Sequence, residues 1–220
     1  MTGHGHNEAY RAISVTPCCP QIGAEIGNID LTRPLTDLEL AELRRAFTEN
    51  LVLFFRDQKI SFEDHVRLGE YFGPLGAHVG SKTISKTTDD PRVRKFHYDE
   101  TTPRVSGDKW HTDQSCAAVP PLGSILYNHT LPPNGRGDTI FASMYEAYDA
   151  LSDRMKTHLE GLTALHDGTR VFGEGTPKSN HPVIARHPES GRKLIYVNRE
   201  FTTRINDVPE EESAALLSYL

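Results

Sequence analysis

Apolar and polar positions along the chain fall into short, distinct runs, and the spacing inside each run predicts its element. Residues 13–30, ISVTPCCPQIGAEIGNID, alternate apolar and small residues with turn signals, which predicts short strands. Leu40, Leu43 and Phe47 recur at helical spacing in LELAELRRAFTEN, with Thr36 or Asp37 placed to cap that helix. LVLFF at 51–55 is a continuous apolar run of strand length. Ser61 and Asp64 make a capping-box pattern ahead of FEDHVRLGEYF, which Gly73 stops. From 76 to 107 the pattern dissolves into Thr, Ser and Asp, a stretch too long for a plain connector and typical of a lid or binding loop. GSILYNHTL and DTIFAS read as strands joined by the turn LPPNGRGD. MYEAYDAL and DRMKTHLEGL read as helices started at Ser143 and Ser152. TALHDGTRVF and HPVIARHPESGRKLIYVN read as strands, the latter turning back at Glu189–Gly191. NREFTTRI, taken alone, reads as a solvated strand edge. PEEESAALLSYL begins a last helix, with Pro209 and three glutamates suited to its N-terminus. Many short strands, with helices early and between them, predict an α+β class and an antiparallel sheet folded into a sandwich or barrel.

Composition narrows the setting. The chain has 220 residues, which predicts a disordered tail over 1–12 and one domain over 13–220. In the tail, His4 and His6 offer at most weak metal contacts. The net charge is −6 with no basic stripe, which argues against nucleic acid as a partner. No stretch approaches the length of a membrane span, so no membrane partner is expected. Cys18 and Cys19 are adjacent and Cys116 stands alone, which reads as reduced thiols in a cytoplasmic protein.

Chemistry concentrates at GDKWHTDQSC, residues 107–116. On an extended strand, alternate residues share a face, so His111 and Asp113 would project together. One imidazole and one carboxylate are two thirds of the facial triad that holds iron in non-haem oxygenases and leaves metal positions open. Trp110 before the pair and the apolar 124–127 after it place it near a core. Thr139, in GRGDT at 135–139, offers a hydroxyl at the start of the next expected strand.

The combination carries further than its parts. WHTD, then GDT, then SMYEAYDALSDRMKTHLEGL, then HPVIARHPESGRKLIYVNREFTTRI, with IGAEIGNIDLTRPL and LVLFFRDQ near the start, closely resembles the taurine dioxygenase family of Fe(II)/2-oxoglutarate-dependent oxygenases. The resemblance implies a double-stranded β-helix, or jelly roll, with flanking helices. It implies that His111 and Asp113 bind Fe(II) and that Thr139 bonds a carboxylate of 2-oxoglutarate. His78 then contacts the anionic group of the substrate, and Phe201 and Phe172 lie beside the substrate. The implied reaction consumes O2 and 2-oxoglutarate, releases succinate and CO2, and hydroxylates a small organic anion such as a sulfonate, sulfate ester or aryloxyalkanoate. A second copy of the chain is the one protein partner left open.

Departures from the family pattern bear on substrate. Arg136 replaces a glycine of the usual GGDT, Gly107 stands where taurine enzymes carry asparagine, and Ser81 where they carry tyrosine. GDKWHTD and GTRVFG look more like the aryloxyalkanoate enzymes of the family. In relatives, the second metal histidine and the 2-oxoglutarate arginine follow the helix that here reaches Leu220. The resemblance therefore implies a C-terminally incomplete domain, lacking its last strands and inactive by itself. His129, His158, His166, His181 and His187 all match non-ligand positions; His166 and His181 are the substitutes to consider should the chain turn over alone. A metal-dependent hydrolase on the same pair, or a jelly-roll binding protein without catalysis, are the competing readings.

Overall fold

The computed structural model describes residues 9–80, 92–99, 101–102, 107–132, 135 and 137–220. The chain divides into two compact units. One runs up to Gly73 and takes in Tyr127–Ser143; the other joins Pro74–Leu126 to Met144–Leu220.

The first unit is a small sheet beside two capped helices. Strands β1 (Ser14–Pro17) and β2 (Ala24–Gly27) pair antiparallel, and β3 (Leu53–Phe54) adds parallel to β2. Helix α1 (Asp37–Asn50) starts at Thr36, whose side chain accepts the Glu39 N–H while Glu39 reaches back to the Thr36 N–H. Helix α2 (Phe62–Glu70) starts the same way on Ser61 and Asp64. Both capping boxes were legible because all their partners lie within one turn. Leu43 and Ala46 are fully buried on the inner face of α1, with Ile13, Ile26, Leu31 and Leu68 completing two apolar clusters.

Residues 10–12, expected in a disordered tail, are fastened to α1. Glu42, buried on α1, accepts the backbone N–H groups of Arg11, Ala12 and Ile13 at 2.7, 2.9 and 3.1 Å. Burial works against its charge, yet those three donors hold its carboxyl below the usual range. Tyr10 donates its hydroxyl to Glu49 and lies under the Arg45 guanidinium at 3.9 Å. His4 and His6 lie outside the described residues.

The second unit is built on β4 (Thr163–Asp167), central in the antiparallel order β5-β4-β8, with β5 at Lys178–Pro182 and β8 at Thr202–Ile205. The β4–β8 register slips between Leu165 and His166. A hairpin of β6 (Ile184–Arg186) and β7 (Lys193–Ile195) closes through His187 N–H to Arg192 C=O. Leu151, Leu159, Ala164, Val183, Ile195, Ile205 and Leu216 form the core. Helix α3 (Met144–Asp149) packs on β7, and α4 (Asp153–Leu159) is capped by Ser152. A short α5 (Thr169–Phe172) follows β4 where a continuous strand was expected. Helix α6 (Glu210–Tyr219) lies on β8, where the Ser213 hydroxyl accepts the Ile205 N–H.

The architecture is α+β, with two of the expected strands absent among the described residues. GSILYNHTL and DTIFAS form no strand: among the described residues, none lies between α2 and α3. Leu126, Leu131 and Ile140 remain 66%, 69% and 72% exposed. A strand exists through the neighbour that hydrogen-bonds its edge, so an apolar run states a capacity and not a partner. No helix of the described residues is long and apolar enough to cross a membrane.

Candidate active site

The segment after Gly107 is irregular chain that enters a turn at Asp113, not the strand expected for it. Gly107 has φ +85°, a left-handed value that suits glycine, and it sits against the His111 ring. The two side chains nonetheless converge. His111 Nε2 lies 3.3 Å from Asp113 Oδ1. The other ring nitrogen, Nδ1, is 2.7 Å from the Lys109 carbonyl, which can only accept, so Nδ1 carries a proton. Ser124 donates its hydroxyl to Asp113 Oδ2. Turn geometry thus does what strand alternation was expected to do. The pair is also more open than expected: Trp110 is 53% exposed and the Asp113 side chain 51%.

Electrostatics bind the two together. The hydrogen bond to Asp113 raises His111 to about 9 against the effect of burial. The same bond holds the Asp113 carboxyl below its ordinary value, again against burial. Two donors each about 2.0–2.2 Å from a first-row ion, at adjacent octahedral positions, stand about 3 Å apart. The observed 3.3 Å fits a cation in the place of the shared proton. Among the described residues, no third His, Cys, Asp or Glu joins them in a group able to hold a metal. His166 and His181 stand apart from the pair in this respect. His166 is fully buried on β4, with its ring 5.2 Å from His181 and stacked on Tyr196.

His78, Phe172 and Phe201 form a continuous wall in the same unit. His78 meets Phe172 edge-on at 4.9 Å, and Phe172 lies 5.7 Å from Phe201. Gly80 N–H donates to His78 Nδ1 at 3.0 Å, which leaves the neutral ring's proton on Nε2 as a donor. Burial, then the nearby Arg94, push His78 below its usual value. Phe201 is 2% exposed and its carbonyl accepts the Asp167 N–H, so NREFTTRI is a sheet edge as expected but not a solvated one, with Phe201, Thr202 and Ile205 buried. Periodicity could not show this, because the burial comes from β4.

Thr139 belongs to the other unit, in an exposed segment without strand pairing. Ser81 and Arg136 lie outside the described residues. Three side chains near this wall carried no sequence signal. Arg94 is half-buried with its guanidinium 4.9 Å from the Phe96 ring, and burial lowers its pKa. Gln114 accepts the Val79 N–H at 2.8 Å. Asn198 donates to Ser115 and accepts from Glu200 and Phe201. Gln114 to Val79 and Asn198 to Ser115 act across 35 and 83 residues, separations that no local pattern records.

Known proteins similar in sequence and fold give the arrangement its context. The chain is 32% identical to alpha-ketoglutarate-dependent dioxygenase cnsP of Penicillium expansum, over 97% of the chain and 63% of that protein. It is 33% identical to a putative alpha-ketoglutarate-dependent sulfonate dioxygenase of Schizosaccharomyces pombe, over 90% of the chain and 54% of that protein. The chain therefore spans less than two thirds of the length of these curated relatives. Among solved structures, a putative alpha-ketoglutarate-dependent taurine dioxygenase from Burkholderia xenovorans superimposes with a TM-score of 0.75 at 31% identity, covering 94% of this chain and 73% of that one. The family model of taurine catabolism dioxygenases matches residues 14–220, with the paired His111 and Asp113 inside the match, and the chain belongs to that TauD, TfdA family.

Proposed function

We propose that this chain carries part of the active site of an Fe(II)- and 2-oxoglutarate-dependent dioxygenase that hydroxylates a small organic anion. The observation that carries the reading is the His111–Asp113 pair, with Nε2 and Oδ1 3.3 Å apart and Nδ1 tied to a carbonyl. That tie fixes the ring's orientation and directs Nε2 to a metal, as outer hydrogen bonds do for ligating histidines. Fe(II) held there would supply, with 2-oxoglutarate and O2, the oxidising power for a hydroxylation that yields succinate and CO2. The residues of this chain bind and aim. Ser124 holds one Asp113 oxygen, leaving the other for the ion. The Phe172–Phe201 wall excludes water from one side of the substrate, and His78 presents its Nε2–H to the substrate's anionic group. The family resemblance assigns the Thr139 hydroxyl to a 2-oxoglutarate carboxylate. The same reading takes the β5-β4-β8 sheet as part of a jelly roll.

Charge supports an anionic substrate. Arg94 is half-buried, pairs with no carboxylate among the described residues, and is close enough to His78 to disfavour protonation of its ring. A cation in that position suits an anionic ligand.

The test is succinate release with Fe(II) and 2-oxoglutarate against a panel of sulfonates, sulfate esters and aryloxy acids. Substrate-dependent succinate that requires O2 is expected of the complete active site of which this chain carries part, and little or none of the 220 residues by themselves. Turnover of an ester in the absence of O2 and 2-oxoglutarate would replace the reading with a hydrolase. In parallel, Co(II) binding is followed by quenching of Trp110, the only tryptophan, which adjoins His111. His111→Ala is expected to weaken Co(II) at least tenfold, and an unchanged isotherm would remove His111 from the metal site.

A further inference from the structure

The turn that carries Asp113 is held from outside at consecutive residues. Gln114 has φ +51°, a left-handed value uncommon away from glycine. Its side-chain oxygen accepts the Val79 N–H at 2.8 Å, 35 residues away in sequence. Val79 follows His78 directly. Next, the buried Ser115 hydroxyl is 3.0 Å from His166 Nδ1 and accepts from Asn198 Nδ2 at 3.0 Å. The other end of the Asn198 amide accepts the N–H groups of Glu200 and Phe201 at 3.2 and 2.9 Å. Two residues further on, the Ala117 carbonyl is 3.0 Å from His181 Nε2.

Two of these side chains do more than fasten the turn. Gln114 joins it to the backbone beside His78. Asn198 joins it to Phe201. Both reach the residues read as substrate contacts, from a turn whose first residue is one of the two candidate metal ligands. We propose that Gln114 and Asn198 are positioning residues that fix the distance between the metal pair and the substrate wall. The inference rests on the reading of His78 and Phe201 as the substrate side of the site. Hydroxylation of one chosen C–H bond requires that distance to be set, since small misplacements of a reacting group cost large factors in rate. At Gln114 the amide oxygen alone does it, by accepting the Val79 N–H; at Asn198 one amide does it with a donor and an acceptor in one rigid plane.

The device predicts a separation of effects. Gln114→Met keeps length and removes the acceptor. Asn198→Asp keeps the acceptors for Glu200 and Phe201 and removes the donor to Ser115. For the Co(II)- and 2-oxoglutarate-loaded chain, the affinity of phenoxyacetate and of propanesulfonate is measured by calorimetry, alongside the Co(II) isotherm from Trp110 quenching. The neutral amide of phenoxyacetate serves as the control. Gln114→Met is expected to weaken the better-bound anion at least fivefold, to leave Co(II) affinity within twofold, and to leave the neutral amide within twofold, because only the group aimed by the bond to Val79 senses the charge. Hydrogen exchange at the Val79 amide should accelerate in the same variant. Asn198→Asp is expected to weaken the anion and the neutral amide alike, through Phe201. Loss of Co(II) and anion affinity in equal measure would reduce both residues to general structural supports and overturn the proposal. Wild-type affinities in both variants would also overturn it, while leaving the anion-binding reading intact. If the wild-type chain binds neither anion, that reading fails and the inference falls with it.

Discussion

Arg94 shows how a single side chain argues for a ligand. A guanidinium stays charged in any protein environment, so part-burying it with no carboxylate partner among the described residues carries a desolvation cost that the Phe96 ring offsets only in part. Its influence on His78 sets it beside the one imidazole read as a substrate contact. Arg94→Gln keeps a donor of similar reach and removes the charge. The expected outcome is a rise in substrate KM of about tenfold to a hundredfold, from about 1.5–3 kcal/mol for a hydrogen bond to a charged group. The KM for 2-oxoglutarate should stay within about threefold. Steady-state kinetics with each varied in turn decides it, and equal rises for both would reassign Arg94 to general electrostatics. At this scale the sequence was informative for His111 and Asp113, whose spacing is itself the signal. It was silent on Arg94, and on Gln114 and Asn198, whose partners Val79 and Ser115 lie on other parts of the chain.

Elements were legible in proportion to how local their causes are. Helices α1 and α2 start where Thr36–Glu39 and Ser61–Asp64 place them, because a capping box is complete within four residues. The runs at 124–129 and 139–143 have the apolar content of strands and form none, because pairing is decided elsewhere. The HTD motif pairs its side chains by a turn, where strand alternation is the cause its spacing predicts. Residues 10–13 make the same point in reverse. Nothing in AYRAI marks it as ordered, and the three N–H groups that Glu42 accepts fasten it to α1. Glu42→Leu should therefore release this segment while α1 persists, since leucine suits the helix. Faster hydrogen exchange at Arg11, Ala12 and Ile13, with thermal stability lowered by about 1–3 kcal/mol for buried donors left without partners, is the expected result. Unchanged exchange at those amides would show that β1 pairing, rather than Glu42, orders the segment.

Stability of the second unit as a whole should carry the mark of His166. The ring is fully buried between Ser115, Thr202, His181 and Tyr196, with Cys116 buried nearby, and no carboxylate among the described residues pairs with it. Burial pushes its pKa down to about 4, and the neighbouring His181 pushes the same way. In the unfolded chain the same imidazole titrates near 6.5, so between about 6.5 and 4 the unfolded state binds more protons and stability falls as pH falls. The ceiling on this loss is about 3 kcal/mol, from a displacement of about 2.5 pH units at 1.36 kcal/mol each. Carboxylates act lower down. The Arg33 hydrogen bond holds Glu39 at about 2, and Asp167 is held at about 2 by Lys178 and Thr169 against its burial. Their contributions are complete above about 4.5 and disappear as pH falls toward 2, so the two windows barely overlap. Urea midpoints measured from pH 7.5 to 4.5 should decline in the wild-type chain. In His166→Gln, which keeps an amide able to meet the Ser115 hydroxyl, stability at pH 7 is expected to be lower and the decline above pH 4.5 much flatter. A slope that survives the substitution unchanged would place the acid sensitivity on another group and show that the buried ring titrates alike in both states.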